Sequence, residues 1–310
     1  TYTYYCATRA LMQNEGFEFQ YYFDNDDAEK TYDDLYDEMY AECQKKIYSG
    51  GYKIYTSIDL EKQADLQSAV DSTLASFTET GDDGIYTLQG SAVCIDNDTG
   101  LVTAIVGGRS QDFTTYTLNR AYQSFRQPGS CIKPVIDYTP AFERSYTPDS
   151  IVKDEPIENG PQNASKTYQG DVTIRYAVEQ SLNTVAWKLY EEITPEAGLQ
   201  YLKNMNFSQI KPADNTPATS IGGFTIGMST LEMASAYATI ENDGVYREPT
   251  CVKSISDSTD QVVYTLEPKE TVIYKETASR MMTDVLKSVM TNGLGRKMQL
   301  TNMISAGKTG

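Results

Sequence analysis

The sequence predicts a mixed α/β fold in which mainly antiparallel strands are flanked by helices. Three observations predict it. Residues 91–95 and 101–106 are apolar runs joined by Asp96-Asn97-Asp98-Thr99-Gly100, a turn composition between two strands. Residues 251–256 and 261–266 repeat that hairpin pattern near the other end. Between and after them lie helical stripes. The clearest is Ala278, Met281, Met282, Val285, Leu286, Val289 and Met290, one helical face closed by Asn292-Gly293. Strands toward both ends of a domain with helices between them give a layered α/β architecture.

The elements follow in order. Residues 1–49 are rich in tyrosine and acid, and Asp24-Asn25-Asp26-Asp27 reads as a solvated loop or helix start. Leu35, Met39, Cys43 and Ile47 then form an apolar stripe on a helix that stops at Ser49-Gly50-Gly51. Residues 52–58 read as a strand. Asp59 is a cap for a helix with the stripe Leu66, Val70, Leu74 and Phe77. Residues 79–90 are a polar loop. Both strands of the first hairpin are apolar on both faces, which predicts a sheet covered on both sides. Asp171 precedes a helix running into Ser181, and Ser229 with Glu232 makes a capping box for another. Residues 302–310 read as the start of a further strand.

Composition narrows the chemistry. The 310 residues carry a formal charge of −17, which disfavours a nucleic-acid partner. The chain contains no histidine, which removes Ser-His-Asp and Cys-His catalysis and most catalytic zinc sites. Any general base must be Lys, Asp, Glu, Tyr or a thiolate. The five cysteines are widely spaced with no Cys-x-x-Cys pair, so neither a metal site nor a disulfide framework is expected, and no cofactor is implied. No apolar run is long enough to span a membrane. Thr1 and the closing Lys308-Thr309-Gly310 read as the ends of a piece of a longer protein.

With histidine absent, a serine one helical turn from a lysine becomes the pattern to seek, and four pairs exist. Ser305/Lys308 falls in the expected terminal strand, where an odd separation points side chains to opposite faces. Ser150/Lys153 lies among Pro148, Asp149, Asp154 and Pro156 and reads as a loop. Ser208/Lys211 is followed by Pro212, which disfavours helical geometry before it. Ser130/Lys133 alone sits after a Pro128-Gly129 turn and ahead of the apolar run Ile132, Val135, Ile136 and Phe142. Pro134 is tolerated in a first helical turn. That places Ser130 at a helix N-terminus with Lys133 on the same face. Cys131 points elsewhere and reads as a packing residue.

Two further motifs follow in order: Ser181-Leu182-Asn183 and Lys308-Thr309-Gly310, each present once. The ordered set S-x-x-K, S-x-N, K-T-G is that of serine penicillin-recognising enzymes. The chain resembles the transpeptidase module of class A (bifunctional) penicillin-binding proteins. The likeness extends to GGYKIYTSID at 50–59, to Asn97-Asp98-Thr99-Gly100 with Val106-Gly107-Gly108, and to Asn119-Arg120-Ala121 followed by RQPGS at 126–130. It continues through Tyr168, Gly170 and Val172-Thr173-Ile174-Arg175, and through Ile221-Gly222-Gly223 to Ala238. Two features depart from the family: Cys131 stands where serine is usual, and residues 291–295 read TNGLG.

The resemblance implies a β-lactamase/transpeptidase-like fold with a helical subdomain and with its C-terminal strands missing. It implies a connector over 1–49 after an absent glycosyltransferase domain, a linker over 50–88 and a penicillin-binding domain over 89–310. It further implies that Ser130 attacks the penultimate D-Ala of a peptidoglycan stem peptide ending in D-Ala-D-Ala, leaving an acyl-enzyme. Lys133 would accept the serine proton, its pKa lowered by burial, by Lys308 and by the helix dipole. Ser181 would relay the proton. Asn183, Lys308, Thr309 and Gly310 would hold the substrate, and the Ser130 N–H would give half of the oxyanion hole. β-Lactams would acylate the same serine, and cell-wall synthesis proteins are possible partners. The expected location is the outer face of the bacterial cytoplasmic membrane, anchored by an N-terminal helix outside this chain. With the second oxyanion donor expected beyond Gly310, the 310-residue chain alone is expected to bind penicillin weakly. A D,D-carboxypeptidase or a β-lactamase stays open as an alternative, because water and an amine attack the same acyl-enzyme; a non-catalytic β-lactam sensor and a monofunctional class B transpeptidase stay open as well.

Overall fold

The computed structural model describes residues 1–23, 25–111 and 117–310. Asp24, part of the expected loop or helix start, lies outside the described residues. In chain order the elements are α1 (Tyr2–Asn14), α2 (Asp26–Ser49), β1 (Lys53–Thr56), α3 (Leu60–Leu74), β2 (Ala92–Ile95), β3 (Val102–Val106) and α4 (Arg120–Gln123). A 3-10 turn (Gly129–Ile132) and a π turn (Pro134–Tyr138) lead into α5 (Thr139–Glu143). Then come β4 (Ile151–Asp154), β5 (Gly170–Thr173), α6 (Ile174–Glu179), α7 (Asn183–Ile193) and α8 (Pro195–Asn204). The chain continues through α9 (Thr230–Glu241), β6 (Val245–Arg247), β7 (Val252–Ser256), β8 (Val262–Thr265), β9 (Glu270–Val272) and α10 (Glu276–Thr291). Every ladder between the described strands is antiparallel, in a three-stranded sheet β1-β7-β8 and in the pairs β2-β3, β4-β5 and β6-β9. The mixed α/β class with antiparallel strands read from the sequence is therefore what forms.

The chain divides into two compact units. The first holds residues 1–124, 229–234 and 248–269. Its core joins Tyr2, Cys6, Ala10 and Leu11 of α1 to Cys43 and Ile47 of α2 and to Val252 and Ile255 of β7. Asn25 caps α2 by accepting the Ala28 N–H, and Asp59 caps α3 by accepting from Glu61 and Lys62. The β2-β3 hairpin forms as expected. β3 is buried at four of five positions, whereas β2 is half-buried throughout. The Gln63 side-chain amide closes the exposed edge of β3, donating to the Ile105 carbonyl at 3.1 Å and accepting its N–H at 2.9 Å. Ser229 and Glu232 form the expected capping box. The Ser229 N–H donates to Glu232 Oε2 at 2.7 Å, and the Glu232 N–H donates to Ser229 Oγ at 3.2 Å.

The second unit holds residues 125–228, 235–247 and 270–310. Its core is built from Val135, Ile136 and Phe142, from Val185 and Leu189 of α7, and from Met282, Val285, Leu286 and Val289 of α10. The buried Tyr274 hydroxyl donates to the Val135 carbonyl at 2.7 Å, which fixes the π turn in this core. All five cysteines of the chain are free thiols, and Cys6, Cys43 and Cys251 are buried.

Several sequence expectations need correction. Helix α1 was missed because its buried face is Tyr2, Cys6, Ala7, Ala10 and Leu11, with only one branched aliphatic to mark a stripe. Leu35 is 54% exposed although it belongs to the predicted α2 stripe. An exact four-residue repeat drifts about 40° per step on a helix, so Tyr36, seven residues before Cys43, takes the inward position instead. Asp171 does precede a helix, but it lies in β5, and Thr173 caps α6 by accepting the Tyr176 N–H. Ser150/Lys153 does not lie in a loop, since Lys153 belongs to β4. Residues 302–310 form no strand, and the Gly307 N–H donates instead to the Leu286 carbonyl of α10 at 3.2 Å. Pro134 does not sit in the first turn of one continuous α-helix. Lacking an N–H, it leaves a tight turn behind it, where the Lys133 N–H reaches Ser130 O, and a widened one ahead, where the Thr139 N–H reaches Pro134 O.

These positions predict a contrast. Leu286→Ala empties a fully packed site and costs about 2–5 kcal/mol. Leu35→Ala changes stability by less than ~0.5 kcal/mol. Urea unfolding of the two variants measures both; equal losses would mean that the α2 stripe faces the core after all.

Candidate functional site

All seven residues named from the motifs lie in the second unit. The Ser130 turn is pinned from behind. Arg126 and Met228 exchange backbone hydrogen bonds at 3.0 and 2.9 Å. The Gln127 amide donates to the Phe224 carbonyl at 2.6 Å and accepts the Phe224 N–H at 2.7 Å. Gly129 takes φ +54°, and Gly222, at φ +90°, lies so close that a Cβ there would fall 2.4 Å from the Gly129 backbone. The turn carrying Ser130 is thus seated by backbone on backbone, a contact only glycine permits.

Lys133 follows one turn later and is fully buried. Its Nζ donates to the Ser181 carbonyl at 2.9 Å, the Leu182 carbonyl at 3.3 Å and Asn183 Oδ1 at 2.7 Å. Those acceptors are presented by the turn between α6 and α7, where Ser181 adopts φ +55°, a conformation that L residues with a Cβ rarely take. From the other side, Lys308 Nζ donates to Ser181 Oγ at 2.7 Å and to the Thr309 carbonyl at 2.7 Å. The Lys308 carbonyl faces Cys131 Sγ at 3.7 Å. A Cβ on Gly310 would lie 2.8 Å from that sulfur and 3.4 Å from the Pro128 carbonyl. The structure therefore brings Lys133, Ser181, Asn183 and Lys308 into one hydrogen-bonded cluster, with Gly310 against the Ser130 turn. Ser130 is half-buried, and among the described residues no group hydrogen-bonds its hydroxyl.

Electrostatics follow from burial. Desolvation first, and the Lys308 cation second, lower Lys133 from 10.5 to about 7, against a smaller opposing pull from Asp137. Burial likewise lowers Lys308 from 10.5 to about 8. Asp137 is the residue the motif search missed. It is fully buried one turn beyond Lys133, and among the described residues neither carboxyl oxygen has a hydrogen-bond partner. Desolvation holds its pKa far above the usual carboxylate range. Its four-residue spacing from Lys133 was the available signal; nothing in the sequence marked it as buried.

Residues 90–310 match the model of the penicillin-binding protein transpeptidase domain. The chain belongs to this family. It is 32% identical to penicillin-binding protein 1A/1B of Bacillus subtilis (strain 168) over 98% of the chain and 33% of that protein. It is also 32% identical to penicillin-binding protein 1A of Clostridium perfringens (strain 13 / Type A) over 89% of the chain and 44% of that protein. The chain thus spans less than half the length of these relatives. Among solved structures, penicillin-binding protein 1A from Haemophilus influenzae superposes with a TM-score of 0.73 at 19% identity, covering 91% of this chain and 61% of that one. The PonA1 protein from Mycobacterium tuberculosis, in complex with penicillin V, gives 0.68 at 19% identity, covering 96% and 72%. At these identities the structures speak for the fold: a penicillin-binding transpeptidase domain.

Lys133 and Lys308 should titrate near pH 7 and 8 in spectra of the side-chain Cε groups, well below the ordinary lysine value. Lys308→Met should raise the Lys133 midpoint, since it removes a repelling cation. The stability sign is also set. Between pH about 10.5 and 7 the unfolded chain binds a proton at Lys133 that the folded chain does not, so stability falls as pH drops through that window. A Lys133→Met variant should lose the Lys133 share of this slope and keep that of Lys308 between pH about 10.5 and 8; an unchanged slope between pH about 8 and 7 in chemical unfolding would contradict the assignment.

Proposed function

We propose that this chain carries the acyl-transfer chemistry of peptidoglycan cross-linking. The observation that supports it most directly is the convergence on Ser181 of two lysines made weakly basic by burial, Lys133, which follows Ser130 by one turn, and Lys308. In this reading Ser130 attacks the carbonyl of the penultimate D-Ala of a stem peptide, D-Ala leaves, and an amine from a neighbouring stem takes the acyl group. Lys133 is the base. A neutral amine has two N–H groups, whereas Lys133 makes three donor contacts, so acting as a base means releasing one acceptor and turning a lone pair to Ser130. A proton affinity near pH 7 makes that state accessible.

The Ser181 hydroxyl, held by Lys308, is placed to pass a proton to the leaving amine. Lys308 and Thr309 bind the terminal carboxylate, and Asn183 binds the peptide. Gly310, without a side chain, lets substrate backbone approach. The Ser130 N–H serves as one of two oxyanion donors, each worth a few kcal/mol in the transition state. β-Lactams would acylate Ser130 in the same way, a proposal supported by the penicillin V complex of the PonA1 protein.

In the same reading residues 1–49 are the connector after a glycosyltransferase domain, 50–88 a linker and 89–310 the penicillin-binding domain. The protein works at the outer face of the bacterial cytoplasmic membrane, where cell-wall synthesis proteins would be its partners. Among the described residues no helix is long and apolar enough to cross a membrane.

Labelling of the full-length protein by a fluorescent penicillin tests the assignment. Ser130→Ala should abolish the label and Cys131→Ser should leave it intact. Lys133→Ala should slow acylation by a factor of about 100 or more. The wild-type rate should fall on the acid side of pH about 7, where Lys133 becomes an ammonium ion. Acylation of Lys133→Ala near the wild-type rate would remove Lys133 as the base. Rapid release of the label would identify a β-lactamase, and a long-lived adduct would exclude one.

A further inference from the structure

Helix α7 opens at Asn183, and the preceding Leu182 has no side-chain acceptor with which to cap it. Its first N–H groups would therefore be orphaned in a buried place. They are not. Asn163, twenty residues upstream between β4 and β5, offers its Oδ1 to the Asn183 N–H at 2.8 Å and to the Thr184 N–H at 3.4 Å. The Asn163 amide is itself held in this orientation. Its Nδ2 donates to Asp154 Oδ1 at 2.8 Å and to the Thr167 carbonyl at 3.0 Å. Asp154, at the end of β4 and 1% exposed, also accepts the Thr184 hydroxyl on Oδ1 and the Gln169 N–H on Oδ2 at 2.8 Å. The opposite amide orientation would set N–H donors against N–H donors, so the network has one arrangement.

The network ends on a side chain that touches the reacting centre. Asn183, fixed at its backbone by Asn163, donates its Nδ2 to the Gln162 carbonyl at 2.8 Å, and its Oδ1 accepts the hydrogen bond from Lys133. We propose that Asp154 and Asn163 form a helix cap supplied from outside α7, which holds Asn183, and through it Lys133, in the geometry for acylation. Both are positioning residues. The inference rests on Ser130 and Lys133 being the acylating pair. Lys133 is also faced by Lys308 from the segment before Gly310 and by Asp137 on its own turn, and neither belongs to the cap.

Removing the Asn163 acceptor leaves the buried Thr184 N–H and the half-buried Asn183 N–H without that partner and frees Asn183 to turn. Lys133 then loses an acceptor that favours its ammonium form, so it becomes harder to protonate. The predicted signature has two parts: a lower maximal rate and an acid limb displaced to lower pH. A purely structural defect lowers the folded fraction and leaves the pH midpoint in place.

The test uses Asn163→Ala and Asn163→Ser in the full-length protein. Rates of labelling by a fluorescent penicillin are taken per active site across pH, alongside amide hydrogen exchange at Asn183 and Thr184. Asn163→Ala should speed exchange at both amides, slow acylation about tenfold and move the acid limb down by about half a pH unit. Asn163→Ser keeps an acceptor oxygen and should recover part of each effect. Faster exchange with wild-type acylation and an unmoved limb would overturn the positioning role. Unchanged exchange would overturn the cap itself. A wild-type protein that takes no label at Ser130 would overturn the acylation reading and the positioning role with it, while the exchange data would still decide the cap.

Discussion

A lysine amine taken out of water is the constraint around which the second unit is arranged. Lys133 is fully buried, and a buried ammonium without partners carries a desolvation penalty of several kcal/mol. The surrounding chain meets this in two ways. It offers three neutral acceptors, the carbonyls of Ser181 and Leu182 and the Asn183 amide oxygen, so the amine is never without partners. Among the described residues no carboxylate accepts a hydrogen bond from it, and desolvation with the nearby Lys308 cation keeps the proton loosely held near neutral pH. Asp137 fits this logic. Buried as deeply as Lys133, it is driven toward its uncharged acid form rather than into a hydrogen-bonded ion pair. A carboxylate placed in direct contact would have restored the ordinary basicity of the lysine.

Holding three acceptors against one amine requires unusual backbone. The Ser181 turn enters the left-handed region with a side chain attached, which costs of order 1 kcal/mol and is repaid by placing its carbonyl toward one lysine and its hydroxyl toward the other. The Ser130 turn is constrained by different means. Glycines 129 and 222 let two backbone segments touch, and the Gln127 amide mimics a strand partner for Phe224. Pro134 then splits the helix into a tight turn and a widened one, which decides where Lys133 enters the core. Each device is local, yet all serve the placement of two side chains three residues apart.

Much of this was legible in the sequence. The capping signals at Asp59 and at Ser229 with Glu232 act over three or four residues and formed as read. The α10 stripe and both hairpins did too, because their periodicity reports directly on a buried face. The ordered motifs selected Lys133, Ser181, Asn183 and Lys308, which the fold joins by hydrogen bonds, while short spacings left the geometry of that cluster open. Helix α1 escaped because tyrosine, cysteine and alanine bury well without announcing a stripe.

What the sequence alone determined, then, is the element menu, the family likeness and the absence of imidazole chemistry, all properties of composition and short spacing. Tertiary structure decided the rest. Whether Asp137 is charged depends on how much water surrounds it, and no local pattern encodes that. The cap of α7 comes from Asn163, twenty residues away, held by Asp154 across a hairpin. The proton affinity of Lys133 is likewise a property of the whole core, because desolvation sums over every apolar group that excludes water from the amine.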